Sequence, residues 1–136
     1  MTSKIIYKGD LRTEMTHLQS GTVVETDAPV DNKGKGERFS PTDLVATALG
    51  SCMLTIMGIA SNTHGMDITG TEVEITKIMT AAPRKIGEII VKLHMKGQAN
   101  YSPKEKAILE NAALTCPVFL TLHEDVKKTV DFIWPE

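Results

Sequence analysis

Hydrophobic residues recur along the chain with two different periods, and the changes of period predict where strands and helices lie. Residues 3 to 8 and 11 to 26 carry Ile, Tyr, Val and Thr between turn residues at Gly9-Asp10 and Ser20-Gly21. This pattern predicts two or three antiparallel strands. Residues 27 to 37 are rich in turn formers and charge, so they predict an exposed loop that leads into a helix.

A long helix is predicted to begin at Ser40. The Ser40 hydroxyl can accept from the free N–H groups of a first turn, Pro41 has the φ that the first helical position favours, and Asp43 can close a capping box. From residue 44 to about residue 62 the apolar residues are spaced by three and four, and no charge occurs between Asp43 and Asp67. A helix without a charged face is expected at the centre of the fold or at a subunit contact.

The middle of the chain predicts a hairpin. His64-Gly65 is a typical helix stop, and residues 68 to 79 then alternate imperfectly between apolar and polar. Around residues 89 to 96 the alternation places Ile89, Val91, Leu93 and Met95 on one face. The loop around Ala82-Pro83-Arg84 joins the two strands.

A second helix and a last strand complete the predicted order. Ser102 and Glu105 form another capping box, and Pro117 should interrupt the helix that follows because proline lacks an N–H and clashes with the preceding turn. Residues 118 to 122 can restart a short helix, and residues 126 to 134 predict a strand. Strands, helix, hairpin, helix and strand in this order indicate an α+β fold.

Length and charge narrow the possible functions. A chain of 136 residues is expected to form one domain, residues 1–136. The formal net charge of −2 provides no basic surface, so neither nucleic acid nor a membrane is expected as a partner. The apolar run Ile5-Ile6-Tyr7 is too short for a signal peptide, and no stretch is expected to approach the length needed to span a bilayer. The predicted location is the cytoplasm.

The candidate reactive residues of the chain are its two cysteines, Cys52 and Cys116. Each follows a Ser-Pro helix start, and 64 residues separate them, so only the tertiary fold could bring them together. A disulfide is a poor structural link in a reducing cytosol, and a pairing there is expected to be transient and catalytic. The alternative is that both are small core residues, because free cysteine is among the most buried residue types.

Four short motifs together resemble the OsmC/Ohr family of organic hydroperoxide reductases and osmotically induced proteins. They are Gly34-Lys35-Gly36-Glu37, Ser40-Pro41-Thr42-Asp43-Leu44, Gly50-Ser51-Cys52 and Thr115-Cys116-Pro117-Val118. Their order and spacing match over nearly the whole chain, and the helix start is closer to the OsmC-like branch of uncertain function. The resemblance implies an OsmC-like fold with antiparallel sheets packed around two central helices, in an intertwined homodimer whose active sites lie at the subunit interface.

The resemblance also implies a thiol peroxidase reaction on organic hydroperoxides. Cys52 would be the nucleophile and Cys116 the resolving cysteine, with a transient disulfide between them. An external dithiol would restore both thiols, and no cofactor is expected. The apolar residues around the cysteines favour alkyl or fatty-acid hydroperoxides as substrates.

A cysteine thiolate needs a nearby positive charge, and Cys52 lies too far along its helix for the helix N-terminus to supply it. The family places an arginine from the N-terminal part of the chain beside the first cysteine. Arg12 and Arg38 are the candidates here, and Arg12 is favoured because it lies in the first strand pair, where hydroperoxide reductases carry theirs.

The acidic partner of that arginine departs from the family pattern. Ohr-type members have a glutamate ten residues before the first cysteine, and this chain has Thr42 there with Asp43 one step later. Asp43 is either the acidic partner or only the cap of the helix. If it is only the cap, the group that orients the arginine is missing.

The remaining motifs predict no further site. His17, His64, His94 and His123 show no ligand spacing, so no metal is expected. The Gly34-Lys35-Gly36 run lacks the ending of a phosphate-binding loop and is interpreted as a flexible turn. Two hypotheses therefore remain: an organic hydroperoxide peroxidase in oxidative-stress defence, or a non-catalytic dimer that binds an apolar ligand at its interface or serves a stress role with structural cysteines.

Overall fold

Six strands and three helices make up the computed structural model, which describes residues 1–136 and divides into two compact units, residues 1–45 and 46–136. The strands are β1 (Ser3–Gly9), β2 (Arg12–His17), β3 (Val23–Asp27), β4 (Glu72–Ala81), β5 (Arg84–His94) and β6 (Lys127–Ile133). The helices are α1 (Pro41–His64), α2 (Pro103–Leu114) and α3 (Pro117–Thr121), with a 3₁₀ turn at Val30–Asn32. The predicted α+β class is confirmed.

The first unit is the predicted antiparallel meander, in the order β1-β2-β3. Its strand register places Arg12 at the start of β2 opposite Asp27 at the end of β3. The loop after β3 turns back sharply on itself. At Gly34 a Cβ atom would lie only 1.7 Å from the carbonyl oxygen of Ala28, so no larger residue fits this turn.

The start of α1 is the predicted capping box. The Asp43 N–H donates to the Ser40 hydroxyl at 3.1 Å, and the Ser40 N–H donates to the Asp43 carboxylate at 2.9 Å. The helix ends at His64, where Gly65 takes a left-handed φ of 70°. Both predicted boundaries of this helix are confirmed.

The second unit contains a sheet in the order β4-β5-β6. The hairpin of β4 and β5 is antiparallel and turns at Ala82-Pro83, as predicted. β6 is parallel to β5, so the expectation of purely antiparallel sheets is wrong at this strand. The reason is the connection, because α2 and α3 carry the chain back across the sheet before β6 begins, as a parallel pair requires.

One hydrophobic core occupies the second unit, between α1, β5 and α2. Leu49, Met53 and Met57 from α1 are fully buried, and each stabilises the fold by about 1.5–3 kcal/mol relative to an exposed position. The predicted face of β5 is confirmed, since Ile89, Val91, Leu93 and Met95 are all buried.

The length of α1 overturns one expectation. At 24 residues it is long and apolar enough to cross a membrane by length and composition, so the expectation that no stretch reaches this length is wrong. A core helix of a soluble protein passes the same test, because the criterion counts apolar residues whether they face protein or lipid. A row of fully buried residues on α1, including Leu49 and Met53, faces the core of the second unit.

Candidate active site

The two cysteines lie together in the second unit. Cys52 is on α1 and Cys116 immediately precedes α3, and the two thiols are close enough for Cys52 to raise the pKa of Cys116. Both are free thiols in this structure. The fold therefore brings near each other two thiols that are 64 residues apart in sequence.

The environments of the two thiols differ. Cys116 is completely buried, whereas Cys52 is partly exposed. Burial raises the pKa of the Cys116 thiol, the Phe119 N–H that donates to its Sγ at 3.4 Å opposes this, and the neighbouring Cys52 raises the pKa further. An outside reactant can reach Cys52 and not Cys116, which suits a nucleophile and a resolving thiol respectively.

Local sequence explains the position of Cys116. Pro117 occupies the first position of α3, and Cys116 has the extended backbone of an N-cap with φ −67° and ψ 150°. Its sulfur accepts the N–H that a serine or aspartate oxygen would accept at this position. Sequence reasoning treated Pro117 only as a helix break and missed this cap, although a residue followed by proline at a helix start is its usual signal.

Several apolar side chains pack against the core that contains Cys116. Ile56, Val118 and Phe119 are among them and are partly buried, as is Cys52.

Arg12 is held in the first unit by a buried carboxylate. Its Nε donates to Asp27 Oδ1 at 2.7 Å and its Nη2 donates to Asp27 Oδ2 at 2.8 Å. Asp27 is only 1% exposed, and the hydrogen bonds from Arg12 hold the pKa of its carboxyl below the ordinary value although burial opposes this. Glu37 Oε1 lies 3.4 Å from Arg12 Nη2 and completes the cluster. The structure thus fixes this guanidinium in one orientation.

The other two predicted site residues have different surroundings. Arg38 is 46% exposed and pairs with Glu25 at 3.4 Å, while its Nη1 donates to the Glu37 carbonyl oxygen. Asp43 serves the α1 capping box with Ser40. Arg12, by comparison, is held by two hydrogen bonds to the buried Asp27 carboxylate.

Asp27 is the residue that sequence reasoning missed. The family pattern predicts the acidic partner of the arginine at the start of α1, where Thr42 stands, whereas the carboxylate that binds Arg12 in the structure belongs to Asp27 at the end of β3. A signal existed, since Arg12 and Asp27 face each other if β2 and β3 form a regular antiparallel pair. The sequence alone does not give the length of the β2–β3 turn, and without that length the register of the two strands is not determined.

The second unit also has a surface groove, which lies apart from the thiols. A surface groove of about 340 Å³ runs between α1 and β4, but neither cysteine lines it. Thr47, Ser51, Thr55, Val73 and Ile75 are among its lining residues. No group of three or more His, Cys, Asp or Glu side chains lies close enough together to hold a metal ion.

Comparisons with known proteins point to one family. A family model described as OsmC-like protein matches residues 34–131. A protein of known structure from Psychrobacter arcticus 273-4 is 49% identical, with 97% of this chain and 95% of that chain covered and a TM-score of 0.92. That protein is provisionally named an osmotic stress induced and detoxification response protein. No functionally curated protein matches the chain.

More distant structures share the fold. An organic hydroperoxide resistance protein OsmC from Legionella pneumophila is 14% identical, with 98% and 97% of the two chains covered and a TM-score of 0.76. An OsmC-like protein from Mycoplasma pneumoniae is 16% identical, with 96% and 93% covered and a TM-score of 0.76. At these identities the likeness is one of architecture.

Proposed function

Because the chain belongs to the OsmC-like protein family, whose structural relatives are named for osmotic stress and hydroperoxide resistance, we propose that it is a thiol peroxidase that reduces organic hydroperoxides. One observation carries the proposal: a partly exposed thiol lies near a fully buried second thiol, whose pKa it raises. A pair of merely structural cysteines has no need of this proximity or of this difference in access.

The proposed reaction has three steps. The Cys52 thiolate attacks the distal oxygen of the hydroperoxide, the O–O bond breaks, and the alkoxide takes a proton and leaves as the alcohol. The Cys116 thiolate then attacks the sulfur of the Cys52 sulfenic acid, and the hydroxyl group leaves as water when it takes a proton. An external dithiol supplies the two electrons that reduce the resulting disulfide.

Arg12 is the cation that we assign to this chemistry, in preference to Arg38. A guanidinium that favours a thiolate or a developing alkoxide must already be oriented, because charge stabilisation is strongest when no rearrangement is needed. Asp27 orients Arg12 by two short hydrogen bonds, whereas Arg38 is an exposed surface charge. We assign Asp43 to helix capping. If Asp43 also took part in the reaction, peroxidase activity would depend on the charge of its carboxylate.

The proposal includes a homodimer in the cytoplasm and two small-molecule partners, the hydroperoxide and a thiol reductant. Large apolar side chains are exposed on one face of the first unit: Ile5 at 63%, Tyr7 at 63% and Val24 at 39%. Ile59 on α1 is 58% exposed as well. Apolar surface of this extent favours cover by a second copy. The reaction needs neither nucleic acid nor a membrane.

The test is consumption of cumene hydroperoxide with dithiothreitol as reductant, for the wild type and Cys52→Ser. We expect turnover by the wild type and none above the uncatalysed rate for the variant. A non-catalytic, ligand-binding dimer predicts equal rates for the two proteins. Mass spectrometry of peroxide-treated wild type under non-reducing conditions should find a Cys52–Cys116 disulfide, and its absence would contradict the resolving role of Cys116.

A further inference from the structure

We propose that Lys128 is a positioning residue for the resolving thiol, because its ammonium group holds the short helix that Cys116 caps. The proposal rests on the proposed function for the role of Cys116. It adds to that function the residue that keeps the resolving thiol in place while Cys52 is oxidised. All of these residues belong to the second unit.

Helix α3 is too short to be stable without outside contacts. It contains five residues, and an isolated helix of that length does not persist in water. At its start the Cys116 sulfur accepts the Phe119 N–H at 3.4 Å, so the position of the thiol and the position of α3 are linked. Whatever fixes α3 therefore also fixes the resolving sulfur.

The Lys128 ammonium group makes three contacts, with α3 and with the turn that follows it. Nζ donates to the Val126 carbonyl oxygen at 3.1 Å and to the His123 carbonyl oxygen at 3.4 Å. It also lies over the Phe119 ring, 5.3 Å from the ring centroid. An ammonium group has three N–H donors, so two carbonyl oxygens and one aromatic face can take them all. Lys128 thus joins the helix residue that donates to Cys116 to the turn before β6.

The place of Lys128 on β6 is unusual for a charged residue. Half-buried and exposed positions alternate along β6, and Lys128 shares the half-buried side with Val130 and Phe132, which pack against the core. Its neighbour Lys127 points the other way, is 74% exposed and lies 3.9 Å from Glu88. A lysine on the core side loses hydration that an apolar residue does not lose. The competing explanation is that an inward lysine on an edge strand discourages pairing with other chains.

The step that depends on this arrangement is disulfide formation. The Cys116 thiolate attacks the sulfur of the Cys52 sulfenic acid, the S–O bond breaks, and the hydroxide takes a proton and leaves as water. The rate of this step depends on how well the attacking sulfur is held in place. The earlier attack on the hydroperoxide uses Cys52 on α1, whereas the Lys128 contacts lie on α3 and its following turn.

The experiment compares Lys128→Met with Lys127→Met. Methionine keeps a long, unbranched side chain and loses the charge and the N–H donors, and Lys127 offers the same change on the exposed side of β6. Each protein is mixed with one equivalent of cumene hydroperoxide without reductant and quenched with acid at intervals. Residual peroxide gives the rate of the first step, and intact-mass spectrometry of the Cys52–Cys116 disulfide gives the rate of the second.

We expect Lys128→Met to slow disulfide formation roughly tenfold to a hundredfold while peroxide is consumed at the wild-type rate. The Cys52 sulfenic acid, seen as one added oxygen atom, should then accumulate. Lys127→Met should match the wild type in both steps. Lys128→Arg should stay within about threefold of the wild type, because a guanidinium keeps the charge, the donors and the contact with the ring.

A second measurement tests the hold on α3 without peroxide. In a Cys52→Ser background Cys116 is the only cysteine, and its burial protects it from alkylation by iodoacetamide. Lys128→Met should raise the alkylation rate roughly threefold to tenfold, because α3 opens more often, and Lys127→Met should not. The urea midpoint should change little, so the faster reaction reports local opening.

A wild-type rate in either measurement for folded Lys128→Met, or equal changes in Lys127→Met, overturns the proposal. Equal slowing of both steps overturns it too, since that is the result of a general structural defect. If Lys128→Met does not fold, Phe119→Leu replaces it: leucine keeps the N–H that donates to Cys116 and removes the ring, so wild-type rates for that variant overturn the proposal. Failure of the proposed function is a separate result, seen as absent peroxide consumption by the wild type, and the alkylation rates then decide whether Lys128 holds α3.

Discussion

Each of the two units contains one pair of neighbouring side chains with possible chemical roles. The two pairs are held in place by different kinds of interaction. Arg12 and Asp27 face each other across two neighbouring strands and are joined by two short charged hydrogen bonds. Cys52 and Cys116 come from different helices and are held by the packing of apolar neighbours and by one weak hydrogen bond to sulfur.

The difference shows what each pair can do. A bidentate ion pair fixes direction and is suited to holding a charge in place. A thiol pair in an apolar core remains free to change its covalent state, because packing rather than an ion pair holds the two residues in place. The four predictions below test this contrast.

The largest effect is expected for Cys116→Ser. Without a resolving thiol, Cys52 should reduce one equivalent of hydroperoxide and then stop, so steady-state turnover with a dithiol should fall about a hundredfold or more. Excess peroxide should drive Cys52 to the sulfinic acid, which adds two oxygen atoms in an intact-mass spectrum. Full turnover by this variant would show that Cys116 is not the resolving thiol.

The acid stability of the protein should depend on Asp27. Its pKa lies below the ordinary value of 3.8 because of the Arg12 hydrogen bonds. A lowered carboxyl pKa contributes stability above the unfolded value, and that contribution is lost as pH falls through the folded value. In the Asp27→Asn variant, the free energy of unfolding measured with urea should therefore fall less steeply than in the wild type as the pH decreases below about 5.

Glu72→Gln is the comparison for this acid effect. Glu72 also has a lowered pKa, from the Lys96 contact, but it is 69% exposed. Solvent screens an exposed pair, so this change should leave the acid slope nearly as in the wild type. Equal slopes for the Asp27 and Glu72 variants would mean that burial of Asp27 does not matter.

A smaller effect is expected at the cap of α3. Cys116→Ala leaves the Phe119 N–H without its acceptor, whereas Cys116→Ser supplies a hydroxyl in the same place. The alanine variant should be less stable than the serine variant by about 1 kcal/mol in chemical unfolding. The opposite order would argue that sulfur is retained here for its volume alone.

The smallest effect should come from Arg38, whose contact with Glu25 is exposed. Arg38→Gln is expected to leave the melting temperature within about 1–2 °C of the wild type. Peroxide turnover should also stay close to wild type, since Arg12 is the assigned cation. If Arg38→Gln lost as much turnover as Arg12→Gln, the cation of the reaction would be assigned to Arg38.

Local signals in the sequence predicted the elements well. Capping residues set both ends of α1, and alternation identified the buried face of β5. Contacts between distant parts of the chain were harder to predict from the sequence, and the parallel pairing of β6 with β5 was missed. The expectation that no stretch approaches the length needed to span a bilayer was also wrong, because α1 has 24 residues and is apolar enough by composition.

By itself the sequence determined the α+β class, the two capped helices and the identity of the thiols, because caps, turns and periodicity depend on residues a few positions apart. Only the tertiary structure decided that Cys116 is buried and caps α3 beside Cys52, and that Asp27 rather than a residue of α1 holds Arg12. Such contacts join residues 15 and 64 positions apart, and their geometry depends on strand register and packing, which no local pattern specifies.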